Sequence, residues 1–240
     1  VKKMNDRAKE LKMTNTSFKN ATGFDDPNHY TCPLDMALLA CELLKYEKDV
    51  LKFSSQREAY IREDTDKPFW LVNTNKLLNA YEGMDGLKTG FTHDAGYNLT
   101  ATAKRNGVRL ISVVMHEETI QKRSQDSVAL LNYGFSKLKC ESLYKKEDVI
   151  DSISLTSSLK TKINVIVKEN IDIIVYKDEN KDDLKVEMVI DKYYPPIDEN
   201  EAIGKLKITT PSGIKYEYDL YSDKSVEKPS FWDIILRNLR

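Results

Sequence analysis

Asp85-Gly86-Leu87-Lys88-Thr89-Gly90-Phe91-Thr92, then His93-Asp94-Ala95-Gly96, then Tyr97-Asn98-Leu99-Thr100-Ala101-Thr102-Ala103 form the most informative run of this 240-residue chain. Positions 85–92 and 97–103 read as strands. The short polar segment between them is a turn, so the run predicts an antiparallel hairpin. Positions 108–115 add Val108, Leu110, Ile111, Val113 and Val114, an apolar run that fits a mostly buried strand. Gly86 and Gly90 let another backbone approach the first strand closely. A Lys and a hydroxyl beside glycine at a strand edge suit a carboxylate. The free N–H and C=O groups of such an edge can pair with an extended peptide. Alternation places Lys88 and Thr89 on opposite faces, so both serve one ligand only if the strand borders a cleft edge-on. The tripeptide alone also fits a solvated strand end.

Toward the N-terminus, Met4, Ala8 and Leu11 sit at helical spacing in residues 1–11. Residues 14–26 are turn-rich. A second helix is expected from Thr31 as N-cap, with Pro33 in its first turn. Leu34, Ala37, Leu38, Cys41 and Leu44 recur there as an amphipathic stripe facing a core, which makes Cys41 a buried thiol. A strand is expected over 58–62. On the other side of the hairpin, 119–133 reads as a helix with Val128, Leu131 and Phe135 on one stripe and Gly134 as its stop.

The texture changes near residue 142. Short apolar runs at 163–167, 171–175, 184–190, 203–208 and 214–220 are separated by polar turns, including Asn180-Lys181-Asp182 and Pro211-Ser212-Gly213. That spacing predicts a small β-sandwich as a separate domain. In the last segment Phe231, Trp232, Ile235, Leu236 and Leu239 share one helical face. Such a helix suits a membrane interface or its own domain, and the pattern alone does not separate the two.

Apolar residues make up 40% and charged residues 31% of the chain, with a formal net charge of −1. That balance excludes wholesale disorder and provides no basic field for nucleic acid. Three widely spaced cysteines, Cys32, Cys41 and Cys140, form neither a disulfide framework nor a zinc pattern. His29, His93 and His116 are equally dispersed, so neither a metal nor a cofactor is expected. The chain opens on Val1 without an apolar signal region, which predicts a start lost by processing or by a fragment boundary. No apolar run is long enough to span a bilayer.

Ordered features around the hairpin carry a resemblance. They are Met4-Asn5 with Ala8, Thr16-Ser17-Phe18, Gly23, His29-Tyr30-Thr31, Asp35-Met36-Ala37, Asn73-Thr74-Asn75-Lys76-Leu77-Leu78, Lys88-Thr89-Gly90, Ala95-Gly96-Tyr97-Asn98 and Leu131-Asn132-Tyr133-Gly134-Phe135. Through about 130 residues the chain resembles the low-molecular-mass penicillin-binding proteins that are serine-type D-alanyl-D-alanine carboxypeptidases, nearest their Gram-positive, sporulation-associated branch. The resemblance implies an α/β fold. It comprises an incomplete penicillin-binding/β-lactamase-like transpeptidase domain, an antiparallel sheet with helices, over residues 1–141. A small β-sandwich would follow at 142–226 and a membrane-associating amphipathic helix at 227–240.

The resemblance also implies roles. Such enzymes use Ser-x-x-Lys, Ser-x-Asn and Lys-Thr-Gly motifs. Lys88 would act electrostatically and contact substrate with Thr89 and Gly90. Thr89 would bond the terminal carboxylate, and the Phe91 backbone N–H would be an oxyanion-hole donor. The implied partners are a peptidoglycan stem peptide ending in D-Ala-D-Ala, inhibitory β-lactams, and the outer face of the bacterial cytoplasmic membrane. The chain departs from the pattern in lacking Ser-x-Asn. Its Ser-x-x-Lys matches, among them Ser136–Lys139, Ser157–Lys160 and Ser212–Lys215, all follow the Lys-Thr-Gly strand instead of preceding it. The nucleophile and its lysine base are therefore expected in a segment upstream of Val1. Another branch carries His where this chain has Phe91, a change that a backbone donor survives. The alternatives are a truncated, non-catalytic protein that binds cell-wall peptide or membrane, and a β-lactamase-like hydrolase, against which the β-rich region argues.

Overall fold

The computed structural model describes residues 1–156 and 161–228. They fall into two compact units that divide between Lys137 and Leu138.

The first unit is built on a three-stranded antiparallel sheet of β3 (Met84–Thr92), β4 (Gly96–Arg105) and β5 (Val108–Glu117), in the order β3-β4-β5. The predicted hairpin forms with Thr92 opposite Gly96. On one face Leu99, Ala101 and Ala103 pack with Leu131 and with Leu77 and Leu78, as the period-2 placement of small and apolar residues requires. That face receives α5 (Ile120–Lys137) and the short α4 (Leu77–Ala80). The remaining helices are α1 (Lys2–Glu10), α2 (Pro33–Leu43) and α3 (Glu47–Ser54). A two-stranded ribbon pairs β1 (Glu58–Ile61) with β2 (Phe69–Val72). The sequence reading misses α3, β2 and α4, short elements whose apolar residues lack a sustained period.

Three local expectations are overturned. Thr31 does not cap α2, because Cys32 occupies the N-cap and the Thr31 hydroxyl lies 2.8 Å from Thr16 Oγ1. The Leu34–Leu38–Cys41 stripe does not face the core either: Leu34 is 68% exposed, and Leu38 and Cys41 are exposed too. Asp35, 1% exposed, turns inward instead. Its carboxylate accepts bonds from Asn15 N–H (2.8 Å) and Thr16 Oγ1 (2.6 Å), and a buried carboxylate must find such donors. Gly134 does not stop α5, which continues to Lys137. A Cβ at 134 would lie 2.6 Å from Leu110 Cδ1, so this glycine lets the helix lie close on β5.

Among its described residues the second unit carries seven strands: β6 (Leu138–Tyr144), β7 (Val149–Ser154), β8 (Lys162–Ile166), β9 (Ile171–Tyr176), β10 (Lys185–Ile190), β11 (Gly204–Thr209) and β12 (Lys215–Ser222). Five form a sheet in the order β10-β11-β12-β8-β7, and β6 pairs with β9. Ile163, Val165, Ile171, Ile173, Val175, Leu206, Ile208 and Leu220 fill the core. Their alternation along β9 and β11 is the sandwich signature. Among the described residues no helix is long and apolar enough to cross a membrane. The expected amphipathic helix at 230–240 lies outside them.

Candidate active site

β3 is an edge strand, so alternate residues point their N–H and C=O groups away from β4. Residues 73–76 run past its first half. Asn75 Nδ2 donates to Gly86 O (3.3 Å), and Thr74 Oγ1 lies 2.6 Å from Thr89 Oγ1. Gly86 makes room for Ser54, whose hydroxyl would sit 2.7 Å from a Cβ there and donates to Asp85 O (2.9 Å). At Gly90 the expected close approach of another backbone is absent, for the nearest atom to a Cβ is Asn98 Cβ at 3.9 Å. That side of the strand opens onto a cleft.

The cleft encloses about 650 Å³. Lys88, Thr89, Gly90 and Phe91 line it from β3, with Thr74 beside Thr89 and Arg123 from α5. Lys88 is exposed, and its Nζ donates to the Thr89 carbonyl at 2.5 Å. Phe91 stacks on Tyr97 at 4.3 Å between ring centroids. The loop carrying Thr22 and Gly23 reaches the rim because Asn20 Oδ1 accepts from Gly23 N–H (2.7 Å) and Thr22 Oγ1 (3.0 Å). A second hollow of about 720 Å³ shares Gly23, Thr92, Ala95 and Asn98 with the first.

Arg123 is the site residue that the sequence reading missed. It is 3% exposed, and among the described residues its Nε and Nη2 have no hydrogen-bond partner. Burial pushes its guanidinium below the ordinary arginine range, against the opposing effect of Tyr97. A buried cation whose donors are unsatisfied beside an open cleft is prepared for an anion. The sequence held a signal for it. Stepping back from Leu131 along its stripe by fours gives Ser127 and then Arg123, a charge on a core-facing helix line.

Among the described residues no serine lines this cleft. Ser136 donates to Tyr133 O (2.7 Å), Ser212 pairs with Thr210 Oγ1 (2.8 Å) in the turn after β11, and the Ser157 match lies outside the described residues. Among the described residues no three His, Cys, Asp or Glu side chains converge as a metal site would require.

Residues 1–119 match the family model described as D-alanyl-D-alanine carboxypeptidase, and residues 139–228 match the penicillin-binding protein 5 C-terminal domain. Along its full length the chain is 38% identical to D-alanyl-D-alanine carboxypeptidase DacF of Bacillus subtilis, of which it spans 61%. It is 36% identical over 58% of its length to DacA of Haemophilus influenzae, covering 35% of that protein. Among solved structures, penicillin binding protein 5 from Haemophilus influenzae aligns with 95% of the chain at a TM-score of 0.69 and 26% identity, with 65% of its own length covered. Penicillin-binding protein D2 from Listeria monocytogenes, in its cefotaxime-bound form, aligns with 56% of the chain and 54% of its own length at 0.51 and 39% identity. The chain thus spans less than two thirds of these relatives, and it belongs to the low-molecular-mass D-alanyl-D-alanine carboxypeptidases, the penicillin-binding proteins of that family.

Proposed function

We propose that this chain is the larger part of a serine D-alanyl-D-alanine carboxypeptidase and supplies the substrate-holding wall of its active site. The observation that carries the reading is the cleft in which the open edge of Lys88-Thr89-Gly90 and Arg123, with its Nε and Nη2 unsatisfied among the described residues, face one space. A stem peptide ending in D-Ala-D-Ala pairs with the free edge of β3. Its terminal carboxylate takes the Thr89 hydroxyl and the Arg123 guanidinium. Lys88 stabilises negative charge, and the Phe91 N–H is one oxyanion-hole donor.

The nucleophilic serine and its lysine base belong to a segment outside this chain. The serine Oγ bonds to the carbonyl carbon of the penultimate D-Ala as its proton leaves through the base. The amide C–N bond then breaks, and terminal D-Ala departs with the proton on its amine. Water hydrolyses the ester and regenerates the serine. The outward stripe of Leu34 and Leu38 and the edge of β5 that is unpaired among the described residues support a further segment in this domain, since folded proteins rarely leave such surfaces bare.

In this reading residues 1–137 are the C-terminal part of the peptidase domain, and the sandwich domain begins with β6 at Leu138, four residues before the boundary expected from the sequence. The enzyme is penicillin-sensitive and works outside the cytoplasm in sporulation. The 227–240 segment holds it on the membrane surface. A fluorescent penicillin tests the division of labour. It labels the full-length protein and leaves isolated Val1–Arg240 unlabelled; labelling of the isolated chain overturns the assignment of the nucleophile.

A further inference from the structure

The β1–β2 ribbon is tied to its unit at the base. Asn73 N–H donates to Arg57 O (2.8 Å), and Asn73 Nδ2 donates to Ser54 O (3.2 Å) and Gln56 O (3.0 Å). Residues directly opposite in an antiparallel pair share a face. Tyr60 opposes Trp70 and Glu58 opposes Val72, so these four occupy one side of the ribbon. Tyr60 is 53% and Trp70 55% exposed. Their rings lie 17° from parallel with centroids 6.4 Å apart, and Trp70 Nε1 donates to Glu58 Oε2 at 3.1 Å. The indole is thus held in place on an exposed surface.

The size and charge of this face select its occupant. Four strand residues span about 13 Å. With a width of about 10 Å the face offers roughly 130 Å², far below the ~800 Å² per partner of a stable protein interface. The tip, Arg62-Glu63-Asp64-Thr65-Asp66-Lys67, has three acidic and two basic residues, so no positive field draws it to anionic lipid. A pyranose ring fits both features. It presents flat C–H faces to aromatic rings and hydroxyl donors at its rim, which a carboxylate accepts. The ribbon also runs directly into the cleft, for Thr74, whose hydroxyl meets Thr89, lies two residues beyond β2.

We propose that the Tyr60–Trp70 face binds pyranose rings of a polysaccharide. Resting on the enzymatic reading above, that polysaccharide is the glycan backbone of the polymer whose peptide ends enter the cleft. The chain has two tryptophans, Trp70 and Trp232, so Trp232→Phe leaves Trp70 as its indole reporter. Titration with a tetramer of β-1,4-linked N-acetylglucosamine gives a saturable change in Trp70 emission. Tyr60→Ala weakens it about fivefold, the loss of one ring contact, and Tyr60→Phe retains it. Absence of a saturable change, equal affinity in Tyr60→Ala, or a response to phosphatidylglycerol vesicles but not to the tetramer overturns the proposal. Penicillin labelling of the full-length protein, which Tyr60→Ala leaves unchanged, tests the cleft separately. A protein that binds the tetramer and fails to acylate overturns the enzymatic reading and keeps this one.

Discussion

Replacing Arg123 with methionine should make the protein more stable and a poorer enzyme at once. The guanidinium is buried with Nε and Nη2 unsatisfied, and each such group costs about 1–3 kcal/mol. Methionine keeps an unbranched stem of similar reach and removes both orphans. Packing lost with the guanidinium offsets part of that gain, leaving a net stabilisation of about 1–3 kcal/mol. For a unit the size of Val1–Lys137 this raises the melting temperature by roughly 3–9 °C. The ligand side moves the other way. A charge-assisted bond to a substrate carboxylate is worth about 1.5–3 kcal/mol, so acylation by a carboxylate-bearing penicillin slows by about 10–150-fold. Thermal melts by circular dichroism and stopped-flow acylation of the full-length protein measure the two effects. A lower melting temperature, or acylation within about twofold of the parent, refutes the reasoning, because either result means that Arg123 has a structural partner or no ligand.

Thr89→Val removes the 2.6 Å contact with Thr74; it should change stability by about 1 kcal/mol or less while acylation falls at least about tenfold, read by urea melts and penicillin labelling. Leu206→Ala empties a fully buried position of the sandwich and should cost about 2–5 kcal/mol, seen as a lower urea midpoint at unchanged slope. Gly204→Ala should cost about 3 kcal/mol, because its Cβ would lie 2.2 Å from Val189 O and 2.8 Å from Ile190 Cα, atoms of a backbone that cannot step aside; the same urea titration checks it.

Much of the architecture is legible in the residues because it rests on period. The hairpin of β3 and β4, the apolar β5 and the strands from β8 to β12 all show alternation or bounded apolar runs that few other structures satisfy. The failures share a cause. At α2 the apolar stripe identified a helix correctly but oriented it wrongly, since Asp35 with its donors from Asn15 and Thr16 occupies the inner face. Hydrophobic pattern cannot foresee a carboxylate that the tertiary fold satisfies. At Gly134 the residue usually found after a helix serves helix-to-sheet contact instead, which only the position of Leu110 reveals. Within the site, Lys88, Thr89 and Phe91 stood out as a motif. Arg123 did not, because its meaning depends on burial and on what is absent around it.

The contact at Gly134 reaches beyond its neighbour. Gly134 and Arg123 are eleven residues apart on α5, very nearly three full turns and about 16 Å along its axis. They therefore lie on the same side of one rigid rod. A methyl group at 134 would meet only the far end of the Leu110 side chain, which can turn aside; a bulkier, branched side chain there would press on β5 itself and lift that end, and the rod would pivot. The guanidinium at the other end would then sit at a different depth in the cleft. The missing side chain at Gly134 thus acts as a spacer of zero thickness, gauging from a distance how far the anion-seeking group protrudes.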